Sequence, residues 1–449
     1  MDFLNKKVTV VGLAKSGIAA ANLLSGMGSI VTITDIRGEK DLGEDIRRLN
    51  KGITVRLGGH SEEDILGVDL VVASPGVDMG IPLFEKARDT GVHIISEVEL
   101  AYLFAESPLI AVTGTNGKTT TTSLIADILL EGGKDIVIGG NIGFPLSEKV
   151  SEWRGKDFIV AEISSFQLEG IEKFRPYIGV ILNITPDHLD RHGDFDEYIN
   201  LKKRIYMNQT EEDYLVLSYD DPVTYCLAFE GRARKLMFST VEEVDEGVFI
   251  KEGEIVLRLD GSEEKISLLS DLGVDVIRNI DNVMAAAIVC AVCRMDVDVI
   301  RRAISGFKGL EHRTEFVREV EGITFINDSK ATNVGAVIRS VQSFDGPILL
   351  IAGGRDKEND YSPLKEVIKK KVKSLILFGE AKDKIKSAMD DLDGLIIVEA
   401  DSLKGAVDTA FSMAAHGDVI LFSPACASFD MFRDYEDRGN RFKEIVKCL

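Results

Sequence analysis

Lys118 and Thr119 close a short polar turn, Thr113-Gly114-Thr115-Asn116-Gly117-Lys118-Thr119. An ammonium and a hydroxyl set directly behind two glycines suit the binding of phosphate oxygens. The glycines let backbone N–H groups close on the anion, Lys118 reaches the terminal phosphates, and the Thr119 hydroxyl helps to hold Mg²⁺. The generic motif wants a glycine five places before the Gly-Lys pair; Val112 stands there, so the loop is a shortened one. The competing reading is a plain glycine turn with a solvated lysine. The flanking patterns argue against it. Leu109 to Val112 is an apolar run that predicts a buried parallel strand, and Leu124, Ile125, Ile128 and Leu129 recur at helical spacing until Gly132-Gly133. Strand, glycine loop and helix start together read as a nucleotide site, with the helix N-terminus adding partial positive charge.

Other polar residues fall at strand ends. Phe158 to Ile163 reads as an apolar strand broken by Glu162. A carboxylate there is costly unless paired, and a Mg²⁺ beside the Lys118 loop would pair it; an edge-strand glutamate in water is the alternative. Val180 to Ile184 predicts another buried strand, running into Thr185-Pro186-Asp187-His188-Leu189-Asp190. His188 thus shares an edge with the phosphate loop and Glu162. Tyr198 to Ile205 reads as a helix carrying Lys202, Lys203 and Arg204, which pattern alone leaves as a solvated face. Asn279 and Asn282 open the long alanine-rich helix, where they either cap it or offer amides to a purine edge.

These groups need elements to position them. Near the start, the strand Val8 to Val11 is followed by Gly12-Leu13-Ala14-Lys15-Ser16-Gly17, a helix, and a second strand ending at Asp35. This resembles the dinucleotide fingerprint, but Ala14 replaces the glycine that lets backbone approach a pyrophosphate, so fold without NAD is the expectation. Val68 to Ser74 predicts a strand ending in Ser74-Pro75-Gly76. For Ser16, Asp35, Arg37 and Ser74, ordinary turn and capping chemistry remains the alternative to ligand contact. Residues 241 to 269 alternate apolar and charged residues around Glu252-Gly253 and read as a decorating hairpin. After Phe307-Lys308-Gly309 the pattern restarts as a third open α/β sheet. Polar clusters follow its strands at Asn327 to Asn333, Gly353 to Lys357 and Ser423 to Ser428. Ligands gather at such strand ends.

The chain has 449 residues, enough for about three domains at ~150 residues each. Its net charge of -21 speaks against a nucleic-acid partner, which wants a basic face. Five cysteines, an odd number without framework spacing, fit a reduced cytoplasmic protein; Cys290 and Cys293 sit inside an apolar helix rather than at a redox turn. No secretory pattern opens the chain, and no apolar run reaches the ~20 residues of a membrane span.

Taken together, the chain resembles the Mur ligase family, ATP-dependent amide-forming enzymes of bacterial cell-wall synthesis. The resemblance runs through Gly114 to Thr119, Gly140-Asn141-Ile142-Gly143, Glu162 to Gln167, Asp187-His188-Leu189-Asp190, His312-Arg313, Asn327 to Asn333 and Asp356-Lys357. Gly12 to Gly17 with Asp35 and Arg37, Ser74-Pro75-Gly76, and Ser423 to Phe429 leading to Tyr435 and Arg438-Gly439-Asn440 are most similar to members that add D-glutamate to UDP-N-acetylmuramoyl-L-alanine.

The resemblance implies an α/β protein of three domains. A Rossmann-like one over 1–96 would bind the UDP-substrate, a central P-loop ATPase-type parallel sheet with a small β decoration would span 97–309, and a mobile Rossmann-like one would span 310–449. It would set Ser16, Gly17, Asp35, Arg37, Ser74, Gly76, Asn141 and His188 around the UDP-substrate. Gly114, Thr115, Asn116, Gly117, Lys118, Thr119 and Thr120 would hold ATP phosphates, Asn279 and Asn282 face adenine, Arg313 meet the phosphates and Asp328 the ribose. Thr119, Glu162, His188 and a carbamylated Lys202 would serve Mg²⁺ at two sites. Lys330, Thr332, Lys357, Ser428, Phe429 and Tyr435 would position D-glutamate, although family members often carry phenylalanine where Tyr435 stands. Lys118, Glu162, His188 and Lys202 would form the catalytic set of a cytoplasmic monomer. The rivals are a sister ligase or folylpolyglutamate synthase, an NAD-dependent dehydrogenase, and a nucleotide-switch binding module without turnover.

Overall fold

The computed structural model describes residues 3–357 and 359–449, with the side chain of Asp190 outside the described set. Three α/β sheets follow one another along the chain. The first holds β1 (Lys7–Val11), β2 (Ile30–Asp35), β3 (Thr54–Leu57), β4 (Leu70–Ala73) and β5 (His93–Ser96) in the order β3-β2-β1-β4-β5. All four pairings are parallel. The order reverses beside β1, which opens a crevice at the carboxyl ends of β1 and β4.

The second sheet contains β6 (Leu109–Thr113), β7 (Ile136–Gly140), β8 (Phe158–Glu162), β9 (Ile178–Ile181), β10 (Tyr214–Ser218), β11 (Arg234–Ser239), β12 (Gly247–Lys251), β13 (Glu254–Leu259) and β14 (Ser262–Leu268). Its order is β14-β13-β12-β11-β10-β9-β6-β8-β7. Along β6, Ile110 and Val112 join one hydrophobic cluster while Leu109 and Ala111 join another. Successive side chains leave opposite faces of a strand, so a strand covered on both sides reads as one unbroken apolar run. The helices Lys118–Glu131 and Ile280–Val292 supply the first of these clusters. Residues 241–269 are more than a decorating hairpin. They form a three-stranded antiparallel meander that extends the main sheet, with β12 parallel to β11. Its two turns place Glu252-Gly253 and Asp260-Gly261 at positive φ, the conformation a two-residue hairpin loop requires.

The third sheet comprises β15 (Glu315–Val320), β16 (Ile323–Asn327), β17 (Ile348–Gly353), β18 (Val372–Phe378), β19 (Ile396–Glu399) and β20 (Val419–Phe422), ordered β15-β16-β20-β17-β18-β19. The sequence pattern missed β15. It is antiparallel to β16 across a turn with Glu321 and Gly322 at positive φ.

Two compact units emerge: Met1–Ile184 with Arg191–Phe307, and Thr185–Asp190 with Lys308–Leu449. Inside the first unit the short helix Glu97–Tyr102 links two sheets. Glu97, fully buried, accepts from the Ser147 N–H at 2.7 Å and from its hydroxyl. Glu99 accepts from the backbone N–H groups of Glu172, Lys173 and Phe174 at 2.9, 2.8 and 2.9 Å. Burial pushes the Glu97 carboxyl above its usual range, with the Ser147 bonds pulling the other way.

Candidate functional site

The phosphate-type loop joins β6 to the helix Lys118–Glu131. Gly117 caps that helix at φ 86°, a left-handed conformation that suits glycine. Lys118 Nζ folds back on the loop, donating to the Gly114 and Thr115 carbonyls at 2.9 and 2.8 Å. Thr119 Oγ1 donates to Glu162 Oε2 at 2.7 Å, and Asn141 Nδ2 donates to Glu162 Oε1 at 2.7 Å. The carboxylate at the end of β8 is therefore tied to the first turn of the loop helix. Thr115 and Thr120 are buried, and Thr115 Oγ1 lies 3.3 Å from the Tyr198 hydroxyl.

Lys202 is 1% exposed. Its Nζ donates to the Gly114 carbonyl at 2.9 Å and stands 4.6 Å over the Tyr198 ring. The sequence reading of a solvated basic face fails here. Lys203 and Arg204 point elsewhere, Lys203 to Glu230 at 2.6 Å and Arg204 to the Ile171 carbonyl at 2.6 Å. The helix itself runs Phe195–Lys203 and tightens to a 3₁₀ turn over Arg204–Tyr206. Asn282 flanks the loop: a Cβ on Gly117 would collide with its side chain, and Thr121 Oγ1 donates to its Oδ1 at 3.3 Å. Asn279 precedes the helix Ile280–Val292 but makes no side-chain cap; its Nδ2 donates to the Asp275 carbonyl at 2.9 Å.

The residues expected around a uridine nucleotide gather at the ends of β1, β2 and β4. Asp35 accepts from the Leu13 N–H at 2.7 Å and from the Arg37 N–H, Nε and Nη2 at 2.9, 3.0 and 2.9 Å. Burial raises the Asp35 carboxyl, but the hydrogen bonds of the Arg37 side chain and of the Arg37 and Leu13 backbone outweigh it and bring the pKa down to about 2. Ser74 Oγ donates to the Gly12 carbonyl at 2.9 Å, and a Cβ on Gly17 would strike that same carbonyl. Ser16 is half-buried and Gly76 exposed on the same crevice loops.

In the other unit, His188 sits at φ 55° and its N–H donates to Asp187 Oδ1 at 3.0 Å. Asn333 Nδ2 donates to the other Asp187 oxygen at 2.9 Å. His188 thus belongs to a different unit from Lys118, Glu162 and Lys202. Asp328, at the end of β16, is buried and accepts from the Ser340 hydroxyl, from Ser423 Oγ at 2.7 Å and from the Thr314 N–H at 3.1 Å. Burial dominates, lifting its pKa to about 6 despite those donors and the charge of Arg313. Lys330 Nζ lies 3.6 Å above the Tyr435 ring. Ser428 is buried, Phe429 is 61% exposed, and Thr332 and Lys357 are half-buried. Arg438 is fully buried; its guanidinium donates to Ser329 Oγ at 3.0 Å and to the carbonyls of Ser329, Cys426 and Ala427 at 2.8, 3.1 and 3.2 Å. Those bonds brace the loops after β16 and β20 against each other.

Among the described residues, no three His, Cys, Asp or Glu side chains cluster as a metal set. The oxygen donors of Glu162 and Thr119 beside a glycine loop nevertheless fit a hard cation that completes its shell with phosphate and water. Lys202 as an ammonium cannot ligate a metal; only a carboxylate-like derivative could.

Three family profiles match in succession. They are the Mur ligase MurD-like N-terminal domain over residues 6–96, the Mur ligase middle domain over 112–290 and the Mur ligase glutamate ligase domain over 312–426. The chain belongs to the Mur ligase family. Within it, the chain is 46% identical over 450 residues to the UDP-N-acetylmuramoylalanine–D-glutamate ligase of Geotalea uraniireducens, covering 100% of this chain and 99% of that one. The enzyme of the same name from Caldanaerobacter subterraneus is 43% identical, with 100% of each chain covered. Among solved structures, the MurF ligase of Thermotoga maritima in complex with ADP superposes with a TM-score of 0.59 at 17% identity, covering 100% of both chains. The UDP-N-acetylmuramate-alanine ligase MurC from the same organism gives 0.58 at 20% identity, over 98% of this chain and 99% of that one. Both share the three-domain α/β fold.

Proposed function

We propose that this chain is an ATP-dependent ligase that adds D-glutamate to UDP-N-acetylmuramoyl-L-alanine, a step of peptidoglycan precursor synthesis. The observation that carries the reading is the bonded set Lys118, Thr119, Glu162 and Lys202 around one glycine loop. The substrate is inferred from the relatives, which are named as UDP-N-acetylmuramoylalanine–D-glutamate ligases. Domain limits at 1–96, 97–309 and 310–449, and action as a cytoplasmic monomer, belong to the same reading.

A carboxylate is a poor electrophile, so an oxygen of the alanyl carboxylate first takes the γ-phosphoryl group of ATP, releasing ADP. The D-glutamate amine then attacks the carbonyl carbon of the acyl phosphate. A tetrahedral intermediate forms, the attacking nitrogen gives up a proton to solvent, and the intermediate collapses as the acyl C–O bond breaks, inorganic phosphate leaving with the electron pair. Phosphoryl transfer relies mainly on positioning and charge stabilisation. Lys118 Nζ would exchange the Gly114 and Thr115 carbonyls for phosphate oxygens. Mg²⁺, held by Thr119 and Glu162 and also by His188 and a carbamylated Lys202, would neutralise phosphate charge.

In the same reading Arg313 and Asp328 meet phosphates and ribose, and Asn279 and Asn282 the base. Lys330, Thr332, Lys357, Ser428, Phe429 and Tyr435 orient D-glutamate. Asp35 with Arg37, and Ser74 with Gly76, hold the uridine diphosphate. The decisive experiment is phosphate release with ATP and UDP-N-acetylmuramoyl-L-alanine. Sustained turnover should need D-glutamate; no release with it present, or equal turnover with other amino acids, would overturn the reading.

A further inference from the structure

Strands β6 and β9 pair in parallel, Thr113 lying opposite Ile181. The pairing continues beyond both strands. The Leu182 N–H donates to the Thr113 carbonyl at 3.1 Å, and the Thr115 N–H donates to the Asn183 carbonyl at 2.9 Å. At the next position a side chain takes over from backbone. Asn183 Oδ1 accepts from the Asn116 N–H at 2.9 Å, and Asn183 Nδ2 donates to the Asn116 carbonyl at 3.1 Å. One amide thus satisfies both backbone groups of one loop residue, its oxygen accepting and its NH₂ donating.

The residue so fastened lies between Gly114, at φ 146°, and Gly117, at φ 86°. Glycines make both ends of this arc permissive, and each costs backbone entropy when it is ordered. A Cβ on Gly114 would come within 3.1 Å of Leu182 Cβ and 3.3 Å of the Asn183 carbonyl, so the arc is pressed against this segment. Fixing it beforehand removes an ordering cost from ligand binding.

We propose that Asn183 is a positioning residue for phosphate binding. Its amide holds the Thr115–Asn116 backbone so that the following N–H groups and Lys118 stay aimed at the nucleotide. The inference rests on the ligase reading for the identity of that nucleotide. An alanine at 183 removes both bonds. An aspartate keeps the shape and the bond from the Asn116 N–H, but turns an oxygen rather than a donor toward the Asn116 carbonyl.

The test uses the full chain as wild type, Asn183→Ala and Asn183→Asp. It measures the Kd for a non-hydrolysable ATP analogue, KM for ATP, KM for UDP-N-acetylmuramoyl-L-alanine, and the melting temperature. Loss of two hydrogen bonds should raise the analogue Kd and the ATP KM about tenfold or more in Asn183→Ala, with the UDP-substrate KM within about twofold of wild type. Asn183→Asp, of the same shape, should show the same selective loss and carries the test if the alanine variant does not fold. Unchanged analogue binding in the folded variants would overturn the proposal. So would a parallel loss of UDP-substrate affinity, or failure of both variants to fold, since either makes Asn183 a general structural residue. A wild-type chain that binds no ATP analogue would instead overturn the ligase reading itself.

Discussion

Lys202 Nζ and the Gly114 carbonyl meet at 2.9 Å across 88 positions of sequence. The contact places a buried amine directly beneath the phosphate-type loop. Addition of CO₂ to that amine would replace an ammonium with a carboxylate-like group able to ligate Mg²⁺. Lys202→Ala should therefore lose ligase activity, and short carboxylates supplied in the assay should restore part of it. The same carboxylates should do nothing for Lys118→Ala. Rescue is measured as phosphate release; none at any carboxylate concentration would count against carbamylation.

Lys118 begins the helix after β6, outside the first sheet, and its Nζ donates to the Gly114 and Thr115 carbonyls of its own loop, so shortening it should leave the fold of the first sheet intact. Lys118→Ala should abolish ATP-dependent ligation while binding UDP-N-acetylmuramoyl-L-alanine about as well as wild type. Calorimetric titration with the UDP-substrate and a phosphate-release assay check the two halves separately. Normal turnover would remove the loop from the mechanism.

Asp35 gives an acid-side prediction. Its folded pKa, about 2, lies below the ordinary 3.8, so the stability it contributes is present above 3.8 and is lost as pH falls toward 2. At neutral pH the difference amounts to at most roughly 2 kcal/mol, less the screening at the half-exposed Arg37. Asp35→Asn should lower the melting temperature at pH 7, and the gap to wild type should shrink between pH 4 and pH 3. Its KM for the UDP-substrate should rise. A gap that does not change with pH would assign the loss to packing.

Asp328 runs the other way. Its folded pKa, about 6, lies above the ordinary 3.8, so its contribution is fully present below 3.8 and is lost as pH rises through 6. Asp328→Asn imitates the protonated form. The variant should lose the part of the wild-type fall in melting temperature between pH 4 and pH 6 that this carboxyl causes. It should also raise KM for ATP if Asp328 meets the ribose. An unaltered pH slope would point to another group.

The sequence announced the glycine loop because everything that defines it is local: an apolar strand, two glycines, Lys118-Thr119 and a helix in order. Glu162 could be suspected because a charge interrupts an otherwise apolar strand. Lys202 could not be told from Lys203 and Arg204 by pattern, because only a fold that brings residue 114 under the helix separates a buried amine from a solvated one; the family resemblance supplied that distinction. β15 was hidden for a different reason. It is an edge strand with charged residues at Glu315, Arg318 and Glu319, and its hairpin partner is recognisable only through the Glu321-Gly322 turn. Asn183 left no local signal at all. Its amide reads as an ordinary loop asparagine until the continuation of the β6–β9 pairing shows what it grips.

The two acids of the helix Glu97–Tyr102 bear on how this protein can be taken apart. Severing the chain after Ser96 would leave the amino-terminal fragment without Glu97 and Glu99, while the carboxyl-terminal fragment would begin at the very residues that grip Ser147 and Glu172 to Phe174. The new terminus would bring a positive charge and fraying to a buried carboxylate. Fragment exchange among relatives should therefore place its junction before β5, so that the acids and the amides they hold travel as one cassette.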